Sequence, residues 1–144
     1  MKRFMYIPML CIVAALVIVS CCRCGSKSRN NASLTNKWQL VKLMGQDVTA
    51  EGDSFTLTFT DEGRISGKGS CNRLMGDYIA GADGKLEIGQ LGSTRMLCPN
   101  EGNENLYFAT VGNADAYEID GQTLMLLCEG EAQAVFTLVT AQEE

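Results

Sequence analysis

Histidine is absent from the 144-residue sequence. Ser-His-Asp and Cys-His catalysis need an imidazole as general base, and many metal centres use imidazole ligands. The absence excludes both kinds of catalytic site and every histidine-containing metal site. The scattered cysteines do not have the spacing of a zinc knuckle either, so we expect no metal and no other cofactor.

The N-terminal apolar segment is too short to span a membrane. Residues 6–19 form 14 uncharged positions that include Pro8, whereas a spanning helix needs roughly 20 apolar residues. The segment follows the cationic pair Lys2-Arg3. This arrangement is typical of a cleaved signal peptide, which we place at residues 1–20.

Residues 18–21, Ile-Val-Ser-Cys, resemble the bacterial lipobox. The resemblance implies a diacylglycerol group on Cys21 and attachment of the mature chain to a membrane through several acyl chains. Cys22 rather than aspartate follows the anchor, which favours an outer-membrane lipoprotein on the periplasmic or surface face, by resemblance to enterobacterial sorting. The alternative is an ordinary signal peptide with an incidental cysteine.

Charge is unevenly distributed along the chain. Residues 21–75 contain eight basic and five acidic residues, whereas residues 76–144 contain two basic and twelve acidic residues. An acidic domain is poorly suited to binding nucleic acid through phosphates. Nothing marks one pair of carboxylates as a catalytic acid and base.

Residues 21–36 are polar and aperiodic, so we interpret them as a flexible tether. The folded domain is expected at residues 37–140, and the protein is expected to be a monomer. Trp38, Leu40 and Lys42 are predicted to share one face of the first strand.

Alternating residues and glycine turns then predict antiparallel strands. Phe55, Leu57 and Phe59 alternate with threonines, and a turn at residues 61–63 leads into a return strand at Ile65–Cys71. Gly67 and Gly69, two residues apart, suggest a bend or a closely packed neighbour. Further hairpin turns are predicted at Asp83-Gly84, Asp120-Gly121 and Glu129-Gly130.

One segment has helical rather than strand character. Residues 98–101, Cys-Pro-Asn-Glu, are typical of a helix start, and Tyr107, Phe108, Val111 and Ala114 form an apolar stripe at helical spacing. The sequence therefore predicts a mainly β (α+β) fold, an antiparallel barrel-like sheet with one packed helix.

The motifs together resemble the META domain family, also called HslJ-like. The most specific are Cys71-Asn72 and the segment Thr94-Arg-Met-Leu-Cys-Pro99, and they lie among weaker matches over residues 38–136. The resemblance implies the same barrel-like fold, frequent secretion or lipidation, and a loose link to envelope stress, secretion and motility. It implies no catalytic residues.

Cys71 and Cys98 lie in the two strongest motifs and are the preferred disulfide pair. Two buried free thiols are an alternative. A second alternative is thiol redox chemistry, in which a helix N-terminus lowers the pKa of Cys98 and Cys71 resolves it. Cys128 is expected to be unpaired, and Cys22 and Cys24 have no assigned role.

Four polar motif residues remain: Asn72, Thr94, Arg95 and Glu104. Asn72 is expected to hold a turn, and Arg95 is expected to fork onto Glu104 or backbone carbonyls. They either fix loop geometry or form a recognition patch at the barrel rim.

The sequence favours a lipid-anchored, non-enzymatic binding or assembly module whose partner is an envelope protein. One alternative is the redox protein that uses Cys98 and Cys71. Another is a carrier of a small apolar ligand or lipid in the barrel interior.

Overall fold

The computed structural model describes residues 32–99 and 102–140. The predictions for the signal peptide, for Cys21 and for residues 22–31 lie outside the described residues. The described chain forms one helix, α1 (Glu104–Gly112), and ten strands. The strands are β1 (Lys37–Leu43), β2 (Gln46–Asp47), β3 (Thr56–Phe59), β4 (Arg64–Lys68), β5 (Arg73–Ala80), β6 (Leu86–Ile88), β7 (Gly92–Ser93), β8 (Ala116–Asp120), β9 (Thr123–Cys128) and β10 (Glu131–Leu138).

The strands form one antiparallel sheet in the order β6-β5-β4-β3-β1-β10-β9-β8, with β2 paired to β1 and β7 paired to β5. The two ends of this strand order, β6 and β8, lie next to each other. The Leu86 amide donates to the Asp115 carbonyl at 3.0 Å, and the Tyr117 amide donates to the Gly84 carbonyl at 2.8 Å. The sheet is therefore nearly closed into a barrel, which confirms the predicted fold class.

A bulge in β1 changes which residues face the core. Trp38 pairs with Leu138 and Leu40 with Phe136, but the register shifts between Leu40 and Lys42. The bulge turns Leu43 inward, where it is buried, and leaves Lys42 exposed. The prediction that Lys42 shares the face of Trp38 was wrong, because strict alternation fails across a bulge.

The described fold includes residues before β1. Leu34 is buried in the core, and its carbonyl accepts a hydrogen bond from the Trp38 indole at 2.9 Å. The Ala32 amide also donates to the Gly121 carbonyl at 2.9 Å. Residues 32–36 therefore pack as part of the domain, although the sequence assigned them to the tether.

The helix begins later than predicted. Asn103 precedes its first residue, Glu104, and Asn113 follows its last, so the predicted start at residues 98–101 was wrong. Residues 100 and 101 lie outside the described residues. Tyr107 and Val111 are fully buried, and the Tyr107 ring lies 5.6 Å from the Phe55 ring and 6.3 Å from the Phe136 ring, centroid to centroid.

The Tyr107 hydroxyl donates to the Thr56 carbonyl at 2.9 Å, so the helix is attached to the sheet by a buried hydrogen bond as well as by apolar contacts. Within the described residues, no helix has the length and apolar character needed to cross a membrane.

Candidate functional site

The turn between β4 and β5 carries two of the motif residues. β4 ends at Lys68, so the predicted continuation of this strand to Cys71 was wrong. The Gly69 amide instead donates to the Asn72 carbonyl at 2.8 Å and closes a turn. Cys71 and Asn72 therefore lie in the turn, with their amides available to another element.

The partner of this turn is the Glu104 carboxylate, in the first turn of α1. Its Oε2 accepts hydrogen bonds from the Cys71 and Asn72 amides, each at 2.7 Å. Its Oε1 accepts one from Asn72 Nδ2 at 2.7 Å. The Ser70 hydroxyl adds a longer bond to Oε2 at 3.4 Å.

Glu104 is only 2% exposed, and no described cation forms an ion pair with it. Desolvation alone would raise the pKa of Glu104. The hydrogen bonds from the Asn72 side chain and from the Cys71 and Asn72 amides outweigh that effect and lower the pKa. The carboxylate is thus held ionised by neutral dipoles, an arrangement that stabilises a buried charge without a counter-ion.

Gly69 gives the carboxylate room to approach the turn. A Cβ at this position would clash with the Glu104 side chain. The close neighbour predicted from the glycine spacing is therefore the first turn of α1.

Asn72 links the turn to the segment that leaves β7. Its Oδ1 accepts hydrogen bonds from the Met96 amide at 2.7 Å and from the Thr94 hydroxyl at 2.9 Å. The Thr94 hydroxyl also accepts from the Arg73 amide at 2.9 Å. Asn72 is buried and uses both ends of its amide, so it connects α1, the turn and the segment 94–96.

A disulfide joins Cys71 to Cys98, with 6.4 Å between the α-carbons. The sequence predicted this proximity. Cys98 nevertheless precedes the first residue of α1 by six positions, so it does not lie at the helix N-terminus that the redox alternative required. Among the described cysteines Cys128 is free, and burial together with the nearby Asp115 and Glu129 carboxylates raises its pKa.

Within the described residues, no hydrogen bond or ion pair joins Arg95 to Glu104, which was one of the two kinds of partner expected for Arg95. Its side chain is exposed, and the four donors to Glu104 are Ser70, Cys71 and the backbone and side chain of Asn72. The structure brings Asn72, Thr94, Glu104, Cys71 and Cys98 together and places Arg95 on the outer surface beside them.

The loop Thr94–Cys98, hereafter the rim loop, presents apolar side chains to solvent. Leu97 is 99% exposed and Met96 is 54% exposed. The loop is fixed on one side by the bond from Met96 to Asn72 and on the other by the disulfide at Cys98. A shallow cavity of about 390 Å³ beside it is lined by Leu97, Phe108 and the network residues. The sequence showed the motif but not the exposure of Met96 and Leu97.

The barrel interior is occupied by the chain's own side chains. The largest fully buried groups include Trp38, Phe59, Phe136, Leu124 and Leu126. Small barrels of this kind are filled by their inward-facing residues. In the described segments, no group of three or more Cys, Asp and Glu residues is placed to hold a metal ion.

Comparison with known proteins identifies related folds. The META domain family model matches residues 32–142. An NMR structure of a protein from Burkholderia xenovorans is 26% identical with a TM-score of 0.59, covering 74% of this chain and 83% of that chain.

Two further structures show the fold alone. One is an NMR structure (22% identity, TM-score 0.58, covering 73% of this chain and 90% of that chain). The other is a crystal structure of a DUF4847 family protein from Bacteroides vulgatus. It is 16% identical with a TM-score of 0.56, covering 76% of this chain and 96% of that chain. No curated protein matches the sequence at a significant level.

Proposed function

The chain belongs to the META domain family, and from this premise we propose that it is a lipid-anchored, non-enzymatic binding or assembly module of the cell envelope. Its recognition element is the rim loop, and its partner is an envelope protein. The resemblance to HslJ-like proteins supports an association with envelope stress or secretion, and the lipobox supports attachment at the outer membrane.

The observation that carries this proposal is the exposure of Leu97. An apolar side chain that is 99% exposed gains nothing from the fold, yet its loop is held by the disulfide and by Asn72. A fixed apolar loop loses little conformational entropy when a partner covers it. This is the geometry of a preorganised binding element.

The chemistry of the Glu104 network supports a non-enzymatic role. Both carboxylate oxygens accept hydrogen bonds from the turn and from Asn72. A lowered pKa makes Glu104 a poor general acid near neutral pH. The network fixes loop geometry, which is one of the two roles expected from the sequence.

The two alternative functions each lose their main support. The redox alternative required Cys98 at a helix N-terminus, but α1 begins at Glu104. The carrier alternative required space in the barrel, but the interior is filled by buried aromatic and aliphatic side chains.

The binding role predicts a specific contact at Leu97. A photo-reactive leucine analogue at position 97 of the full chain should give one discrete adduct in native envelopes. Met96→Ser should lower its yield about fivefold or more, since truncating a central apolar contact costs roughly 1 to 2 kcal/mol of binding.

The matched control places the analogue at Ile79, which is 69% exposed on β5 and outside the rim loop. It should give no discrete adduct. Equal labelling at positions 79 and 97, or an adduct at 97 that Met96→Ser leaves unchanged, would contradict a rim-loop partner.

The anchor predicts metabolic labelling. Cells supplied with labelled palmitate should label the wild-type chain, and Cys21→Ala should abolish the label, because the Cys21 sulfur carries the diacylglycerol. Cys22→Ala is the control and should retain the label. Undiminished labelling of Cys21→Ala would show that the lipobox assignment is wrong.

A further inference from the structure

The outer face of the sheet carries a groove that the proposed function does not use. It has a volume of about 320 Å³ and lies across β1, β3, β4 and β5. We call it the cationic groove, because its charged lining residues are Lys37, Lys68, Arg73 and one acid, Asp53. The hydroxyl-bearing residues Thr56, Thr58 and Ser66 also line it.

The strand register places two cations directly opposite each other. Lys68 on β4 pairs with Arg73 on β5. Cross-strand neighbours have Cβ atoms about 5 Å apart, and like charges at such positions destabilise the sheet. Four residues away on the same two strands, Arg64 pairs with Asp77, the complementary arrangement that such positions favour. The Lys68–Arg73 pair therefore destabilises the sheet locally unless a nearby negative charge offsets the repulsion.

The single carboxylate of the groove offsets that repulsion only in part. Asp53 forms its ion pair with Lys37, and within the described residues no carboxylate pairs with Lys68 or Arg73. The hydrogen bond from Lys37 is the main cause that lowers the pKa of Asp53; burial opposes it, and the charges of Lys37, Lys68 and Arg73 add to the lowering. All three cations thus act on Asp53, and their summed positive charge exceeds the negative charge of this one acid by two.

We propose that the cationic groove binds a phosphate group, carried either by free phosphate or by a lipid headgroup. Inorganic phosphate or a phosphomonoester at pH 7 carries a charge of about −1.5 to −2, which matches the excess of two positive charges better than a single carboxylate does; a phosphodiester lipid headgroup carries a single negative charge and offsets half of that excess. Arginine forks onto phosphate oxygens, lysine supplies a point charge, and neighbouring hydroxyls donate further hydrogen bonds. This site is independent of the rim loop and does not rest on the proposed function.

The local charge contrasts with that of the whole chain, whose formal net charge is −5. The acidic second half of the sequence contributes no charged residue to the groove. Such a concentration of positive charge in an acidic protein raises the local concentration of anions.

The test titrates inorganic phosphate into the full chain in a neutral detergent, at constant ionic strength, and follows the amide NMR signals of Ser66, Lys68 and Arg73. We expect saturable shifts with a Kd on the order of 1 mM. The double variant Lys68→Gln, Arg73→Gln should weaken binding about tenfold or more. A cooperative unfolding transition of this variant, measured without phosphate, should show that it still folds.

The matched control removes two cations elsewhere. Lys42 and Lys85 are 52% and 84% exposed at the side chain, and each pairs with a nearby aspartate outside the groove. Lys42→Gln, Lys85→Gln should therefore bind phosphate within about twofold of the wild type. Equal weakening in the two double variants would overturn the proposal.

A second arm distinguishes the two phosphate sources. The full chain is placed in lipid discs of phosphatidylcholine alone or with added phosphatidylglycerol, so that any anchor inserts equally in both. Groove shifts that require phosphatidylglycerol and disappear in the Lys68, Arg73 variant assign the site to lipid headgroups. Shifts with inorganic phosphate but not with phosphatidylglycerol assign it to a soluble phosphate. A lack of response to both would refute the site.

Discussion

Replacing Glu104 with glutamine is expected to lower the free energy of unfolding by about 2 kcal/mol, and replacing it with alanine by about 4 kcal/mol. The carboxylate accepts from the Cys71 and Asn72 amides and from Asn72 Nδ2. Alanine leaves all three donors without an acceptor in a buried site. Glutamine keeps one acceptor oxygen but presents an amide group to a donor.

Asn72 cannot relieve that conflict by turning its own amide over. Its Oδ1 accepts from the Met96 backbone amide, which can only donate. A rotated Asn72 would place its NH₂ group against the Met96 N–H, so the conflict would move from Glu104 to the rim loop. The orientation of Asn72, and with it the required acceptor at position 104, is fixed by the backbone.

The contribution of the Glu104 carboxylate to the free energy of unfolding should decrease at acidic pH. Folding lowers the pKa of Glu104, whereas in the unfolded chain it is about 4.3. The unfolded state therefore takes up the proton first. The stabilisation is complete above the unfolded pKa and is lost as pH falls through the folded pKa.

Urea unfolding at several pH values measures both effects. The wild type should exceed Glu104→Gln in stability by about 2 kcal/mol at pH 7, and the difference should narrow below about pH 4. Glu118→Gln, at an exposed position on β8, is the control and should change stability by less than about 0.5 kcal/mol. A gap that stays constant with pH would mean that the charge of Glu104 contributes nothing.

The sheet was predictable because its signals are local. Leu57 and Phe59 are buried in β3 as their alternation predicted, whereas Phe55 is buried but precedes the strand with a positive φ. The glycines of the expected turns, Gly63 and Gly84 among them, adopt positive φ. The alternation of apolar and polar residues and the residue preferences of turns act over a few positions, so both can be recognised in a single sequence. The run of short strands with tight turns, together with the family resemblance, predicted the barrel-like sheet.

The errors lie where distant contacts decide the local structure. The bulge after Leu40 exposes Lys42, although alternation placed this residue inside. The helix starts at Glu104 rather than near Pro99, and the carboxylate of this first residue binds a turn more than 30 residues earlier. Local capping chemistry at Pro99 carries no information about that contact.

The candidate site was only partly predictable for the same reason. Motif resemblance drew attention to Asn72, Thr94, Arg95 and Glu104, and Arg95 was expected to bind either Glu104 or backbone carbonyls. Backbone amides and the Asn72 side chain donate the hydrogen bonds to Glu104 instead. Backbone donors have no sequence signature, and the cross-strand pair of Lys68 and Arg73 becomes visible only once the register is known.

Removing the disulfide is expected to have the second large effect. Cys71→Ser, Cys98→Ser should lower the free energy of unfolding by about 3 to 4 kcal/mol in the chain-entropy account, because the bond closes a loop with a sequence separation of 27. Reducing the wild type should produce the same loss. Cys128→Ser is the control, since the Cys128 thiol is free, and should change stability by less than about 0.5 kcal/mol.

The disulfide and the Glu104 network should not act independently, because both hold the turn at residues 71–72. The loss in a variant lacking both should differ from the sum of the separate losses by about 0.5 kcal/mol or more. Reduction should also weaken crosslinking through Leu97, since the rim loop then keeps only its hydrogen bonds through Thr94 and Met96 and loses its attachment at Cys98. If the reduced chain is as stable as the oxidised one and crosslinks equally well, the disulfide neither stabilises the turn nor preorganises the rim loop.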